Sequence, residues 1–182
     1  MDLSNKHICV KVNTPKYIPF DEYAATFMDI SNIYKTTIDF FTMKRFGLRK
    51  INFCFINNVK YVNKYFNQRY FDCYDLFDES DIFASEKKEN FLIDGYKVNL
   101  LCDIEKGQLN DKTMYKVTLD TDIYIDDGSK IENDIFENKN ISLLNEKIFA
   151  IYVDALSDEF GQMLISDNDI DEKEIKGVES NE

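Results

Sequence analysis

The chain contains no tryptophan, a single histidine (His7), two prolines and only three arginines among its 182 residues. Each scarcity narrows the chemistry. With one imidazole, a general base of near-neutral pKa is available only at His7, close to the N-terminus. The four cysteines, Cys9, Cys54, Cys73 and Cys102, are far apart and form no C-x-x-C pair, so no structural zinc set is expected. Three of them lie in apolar, strand-like runs, where a thiol behaves as a small hydrophobe, and reduced cysteines in a cytoplasmic protein are expected. No G-x-S-x-G, Walker A or G-x-G-x-x-G segment occurs. No apolar run approaches the roughly 18 residues of a membrane-spanning helix. The opening M-D-L-S-N-K-H also lacks the basic-then-apolar order of a signal peptide.

What is present is acid and aromatic. Asp and Glu number 34 against 22 Lys and Arg, a formal net charge of -12, and fifteen Phe and eleven Tyr supply material for a core. At this length one domain is expected, burying roughly 70% of the unfolded surface. The charge argues against direct nucleic-acid binding, where Lys and Arg neutralise phosphates, and against an anionic membrane surface. It suits a protein that meets a basic partner, although acidity is also common among soluble proteins of no such role.

His7 to Asn13 alternates and reads as a first strand. From Asp21, a candidate N-cap, Tyr23, Phe27, Ile30, Ile33 and Tyr34 recur at helical spacing to about Asp39. Phe40 to Ile56 reads as a long extended segment with Ile51, Phe53 and Phe55 on one side, Asn52 and Cys54 on the other. Val59 to Phe77 is ambiguous between strand and short helix, and Asp78 to Asn90 reads as an exposed loop. Strands are expected at Tyr96–Ile104 and Met114–Ile125, joined by hairpin-turn chemistry at Gly107 to Lys112 and ended by Asp126-Asp127-Gly128. Asn140 can cap a long amphipathic helix reaching Met163. The stretch after Ile165 is acidic and poor in core residues, and disorder is expected there. The sum is an α+β domain over residues 1–165, a largely antiparallel sheet packed against two long helices, followed by an acidic disordered C-terminal tail, 166–182.

The densest chemical signal is K-R-F-G-L-R-K-I-N at Lys44–Asn52, which holds two of the three arginines, Arg45 and Arg49, around Gly47. On a regular strand these three share a face, and Asp120 and Asp122 share one on a later strand. Two readings follow. The four form an internal charge ladder that holds strand register, or the arginines grip a phosphate or a partner's carboxylate. A bulge at Gly47 would weaken both. Asp120, Asp122, Asp126 and Asp127 also suggest Mg²⁺ or Ca²⁺, but no catalytic Glu-Lys pattern and no EF-hand spacing accompanies them, so neither a metal nor a cofactor is expected.

Arg45–Asn52 (R-F-G-L-R-K-I-N) resembles the R-x-G-L-R-Y-x-N segment of a sporadically distributed family of bacterial conserved-hypothetical proteins. Leu119–Tyr124 (L-D-T-D-I-Y) is similar to that family's L-D-x-D-x-Y strand, and the order K-Y-x-x-F-x-x-Y helix entry, arginine strand, aspartate strand and final helix also matches, over roughly 7–165. Lys50 stands where the family carries tyrosine, and the family's additional N-terminal β-rich portion is not found. The family's scattered occurrence is of the kind seen for phage, mobile-element and defence genes. These observations lead to an expected function: a non-catalytic inhibitor or immunity-type factor, anti-CRISPR-like or antitoxin-like, that engages a basic protein such as a nuclease, CRISPR effector or toxin. A small Mg-dependent phosphate- or nucleotide-handling enzyme using Arg45/Arg49 and Asp120/Asp122 is the alternative. A scaffold or homodimer with the final helix as its interface is a third.

Overall fold

The computed structural model describes residues 2–3, 7–12, 18–71, 83–137, 141–166 and 175–176. Cys73, Pro15, Asn140 and most of the tail beyond Ser166 lie outside these residues. Within them the chain is an α+β fold with a largely antiparallel sheet, as the segregation of strand-like and helix-like segments implies.

The first strand pair is small and separate. β1 (Asp2–Leu3) pairs with β2 (Ile8–Cys9), Leu3 opposite Ile8, and neither joins the main sheet. Helix α1 spans Phe20–Thr37 and starts one residue before the expected Asp21 cap. Pro19 holds the N-cap position with φ -55°, while Asp21 and Glu22 occupy the first turn, where carboxylates oppose the helix dipole. Its core stripe is Phe20, Ala24, Phe27, Met28 and Ser31, rotated from the expected one, so Ile33 faces solvent.

The main sheet has the order β4-β5-β6-β3-β7. Its members are β3 (Phe46–Ile56), β4 (Ala84–Ile93), β5 (Tyr96–Leu109), β6 (Lys112–Ile125) and β7 (Ile175–Lys176), every neighbour antiparallel. Three expectations are corrected here. The extended run does not begin at Phe40, which has φ +61° and ends a turn after α1; the strand begins at Phe46. Much of Asp78–Asn90, expected as loop, is β4, closed onto β5 by the two-residue turn Asp94-Gly95 with φ +50° and +81°. That Asp-Gly pair between apolar runs is the signature of a type I′ hairpin. The second hairpin turns at Asn110-Asp111, φ +49° and +61°, and Gly107 lies inside β5.

Val59–Phe77 resolves in its described part into a 3₁₀ turn (Val59–Tyr61) and the single-turn helix α2 (Val62–Tyr65). After β6, Asp127 caps the turn α3 (Gly128–Lys130), accepting from the Ser129 and Lys130 amides, and a π-helical turn runs over Ile131–Glu137. The expected single final helix is two helices, α4 (Ile141–Ala155) and α5 (Asp158–Ser166). The break follows from Ser157: its hydroxyl accepts from the Phe160 amide and donates to the Lys64 carbonyl, while its amide donates to the Tyr65 carbonyl. A capping serine that also ties down α2 ends one helix and starts the next.

α4 lays Leu144, Ile148, Ile151 and Ala155 against the sheet, and Phe27 of α1 meets Phe46 of β3 edge-on at 5.4 Å. The core therefore sits between one sheet face and the helices. Tyr96, Val98, Leu100, Cys102 and Ile104 of β5 and Val117, Leu119, Ile123 and Ile125 of β6 line it. Ile51, Phe53 and Phe55 do share a face, but it is the opposite one. Their neighbours Leu48, Asn52, Cys54 and Ile56 take the core side instead. No helix of the described residues is long and apolar enough to cross a membrane.

Candidate functional site

The sheet face away from the helices brings all four of the singled-out charged residues together. β3 and β6 run in unbroken register from Phe46 opposite Ile125 to Ile56 opposite Tyr115, so Gly47 makes no bulge. The side-chain pairing is diagonal. Arg49 stands opposite Asp122 along the backbone, yet its guanidinium reaches Asp120, two positions along, with Nε 2.8 Å from Oδ1 and Nη2 on Oδ2. Arg45, just before the strand, reaches further along, to Asp122, the residue opposite Arg49, with Nη2 to Oδ2 at 2.7 Å. Strand twist brings such diagonal neighbours within reach of long side chains.

Gly47 is required by a close approach. It lies opposite Tyr124, and a Cβ placed there would sit 2.8 Å from the tyrosine Cβ and 3.0 Å from the Ile123 carbonyl. The space lets Tyr124 lie close across β3, and the Arg45 guanidinium stacks on its ring at 4.1 Å. Asn99 of β5 completes the group by donating to the same Asp122 oxygen at 3.1 Å. Tyr124 shares the face of Asp120 and Asp122, as the alternation of L-D-T-D-I-Y implies. Asn99 also belongs to this cluster although the sequence reading does not single it out; its place opposite Asp122, one strand over, is a signal that needs the register first.

The ladder is uneven in burial. Asp120 is 7% exposed, whereas the Arg49 side chain is 60% exposed. The hydrogen-bonded Asp120 carboxylate holds the Arg49 pKa above its ordinary value, against the opposing effect of burial. This side-on pairing uses the Nε–Nη2 edge of the guanidinium and leaves its Nη1 side facing solvent. The third arginine, Arg69, also faces an aspartate, Asp154, at 3.5 Å, and the same carboxylate accepts from the Tyr70 hydroxyl at 2.7 Å.

The remaining metal candidates are drawn elsewhere. Asp126 pairs with Lys97 and Asp127 is the cap of α3. Among the described residues no three His, Cys, Asp or Glu side chains come together as metal ligands. His7 is exposed beside the small β1–β2 pair, and Cys9 and Cys54 are free thiols. The chain matches no family model, no curated protein and no solved structure.

Along β3 the same outer face turns apolar. Ile51 and Phe53 are 55% and 45% exposed, and Phe53 meets Phe55 edge-on at 5.9 Å while Lys116 lies over its ring at 5.0 Å.

Proposed function

We propose that the chain is a non-catalytic protein-binding factor of inhibitor or immunity type, of the sort carried by phages and mobile elements. It engages a basic partner, such as a nuclease, a CRISPR effector or a toxin, through its acidic surface in the cytoplasm. One observation carries this reading: all three arginines are matched to aspartates of the same chain, Arg45 to Asp122, Arg49 to Asp120 and Arg69 to Asp154. With these guanidinium groups committed internally, the surface available to a partner is dominated by the carboxylate excess behind the -12 net charge. Such a field steers a basic protein and selects against acidic ones. The scattered family that the Arg45–Asn52 and Leu119–Tyr124 segments resemble supports the same reading.

The experiment is capture of partners by the immobilised chain at about 50 mM and about 150 mM salt, spanning a clear change in screening length. The expected result is a basic nuclease or toxin whose activity falls on binding and whose association slows as salt rises. Recovery of no basic protein at either salt overturns the reading. A thermal shift produced by a nucleotide with Mg²⁺ would favour the phosphate-handling alternative, since that chemistry needs the arginines to leave their aspartates.

A further inference from the structure

The two edges of the main sheet differ in chemistry. β4, at one end, carries the run Glu86-Lys87-Lys88-Glu89, in which Lys88 pairs with Glu86 at 2.7 Å and Lys87 with Glu89 at 3.9 Å. Interspersed charges of both signs guard an exposed edge against added strands. At the other end β7 covers only Phe55 and Ile56 of β3, and Phe46–Cys54 has no neighbouring strand on that side among the described residues. This stretch is regular, with neither proline nor bulge. At ~3.3 Å per residue it is about 30 Å long.

The charge of this edge is opposite to that of the chain as a whole. Lys44, Arg45, Arg49 and Lys50 lie on it or just before it, on a body of net charge -12. Arg45 and Arg49 have aspartate partners, whereas Lys44 and Lys50 have no ion-pair partner among the described residues. Lys50 alternates with the outward Arg49 and Ile51, so it points to the core side, half-buried and 5.8 Å from the Phe20 ring. Opposite it on β6 stands Thr121, which has no carboxylate to offer. Burial lowers the Lys50 pKa, and no anionic neighbour opposes the effect. On the outer side Ile51 and Phe53 remain exposed.

We propose that Phe46–Cys54 is a docking edge for an extended, acidic segment of a partner protein. The segment adds to the sheet as an antiparallel strand, with a carboxylate on the core side at Lys50 and apolar side chains on the outer side at Ile51 and Phe53. In such strand addition the open backbone groups supply affinity and the alternating side chains supply specificity. Charge complementarity selects this occupant. The inward lysine disfavours a wholly apolar strand, which would leave the ammonium half-buried and unpaired, and favours one whose facing residue is Glu or Asp.

A second copy of the chain is a poorer occupant. Antiparallel pairing of two β3 edges over Phe46–Cys54 centres on Lys50 and sets the two lysines opposite each other, a repulsive pair. The docking edge is separate from the acidic surface proposed above, and it holds whatever partner that surface meets.

The probe is a fluorescently labelled peptide, T-V-T-V-E-V-T, in which valines alternate and the glutamate takes the place opposite Lys50. Its control carries lysine in place of the glutamate. Titrated into the full-length chain and read by fluorescence anisotropy, the glutamate peptide is expected to bind at least about tenfold more tightly than the control. Lys50→Glu should reverse that order, and Lys50→Met, which keeps the apolar stem without the charge, should abolish the preference. Bound peptide should also slow hydrogen exchange of the β3 amides that point away from β6 by about tenfold or more, and leave the β4 amides unchanged. Absence of binding by either peptide, equal affinity for the two, a preference that survives both Lys50 variants, or protection of β4 in place of β3 would overturn the proposal. So would a concentration-dependent dimer in sedimentation that Lys50→Met strengthens and the peptide leaves intact.

Discussion

Replacing Arg49 by alanine should destabilise the fold more than replacing Asp120, although both substitutions remove the same ion pair. The reason is which partner is left behind. Asp120 is 7% exposed and loses both guanidinium donors in Arg49→Ala, the Nε at 2.8 Å among them. A carboxylate left under the sheet surface without its charged partner costs on the order of 2–3 kcal/mol. In Asp120→Ala the remaining guanidinium is 60% exposed and simply rehydrates, so the cost is nearer ~0.5–1 kcal/mol, that of a surface ion pair. The double variant should resemble Asp120→Ala, because removing the carboxylate removes the liability. The second substitution therefore rescues the first by roughly 1.5 kcal/mol, about a tenfold change in the folding equilibrium constant. Urea unfolding followed by tyrosine fluorescence and far-UV circular dichroism reads these differences as shifts in midpoint at constant slope. The Arg45–Asp122 pair, with the aspartate side chain 21% exposed and also bonded to Asn99, should show a weaker asymmetry. If Asp120→Ala costs as much as Arg49→Ala, or if the two costs add in the double variant, the burial reasoning is wrong.

Two further outcomes follow from the same packing. Gly47→Ala forces a Cβ to within 2.8 Å of the Tyr124 Cβ and 3.0 Å of a backbone carbonyl; it should cost ~1–3 kcal/mol, and Gly47→Ala/Tyr124→Gly should recover part of that loss by urea midpoint. Stability should also fall in alkali. Burial pushes the Cys54 thiol up to about 12, and burial together with the hydrogen bond to Asp154 raises the Tyr70 phenol above its ordinary range. Both groups hold their protons when folded but release them near pH ~8.5 and ~10 when unfolded. Their contribution is complete below pH ~8.5 and is lost as pH rises toward 12, at no more than about 1.4 kcal/mol per pH unit for each group. Tyr70→Phe should flatten the part of that slope above pH 10, and an unchanged slope would remove Tyr70 from the account.

Local chemistry made several elements legible in advance. Apolar alternation over Tyr96–Ile104 and Met114–Ile125 sets two core-facing strands, and the terminating Asp126-Asp127-Gly128 ends the second one as observed. The charge ladder was legible too, because Arg45 and Arg49, four apart, and Asp120 and Asp122, two apart, have the even spacing of a shared strand face. Other signals were present in the residues but outweighed. Asp94-Gly95 marks a hairpin, yet the charged stretch before it, Ser85 to Asn90, reads as loop until β5 supplies a partner for an edge strand with polar side chains. Ser157 is a helix-cap residue inside an unbroken apolar periodicity, and it ends α4 only because α2 brings carbonyls for it to bond.

The sequence by itself determined the fold class, the alternation of the central strands and the shared faces of the arginines and aspartates, because these depend on period and residue type within one segment. Only the tertiary structure decided which side of β3 faces the helices. Ile51 and Phe53 are as apolar as any core residue, but the helices cover the face of Phe46 and Ile56, and the apolar row that a periodicity argument would bury is left facing out. The tertiary structure likewise settled which arginine meets which aspartate. That depends on register and twist between two segments about 70 residues apart, as the separations of 71 and 77 across the ladder show. No single segment carries that information.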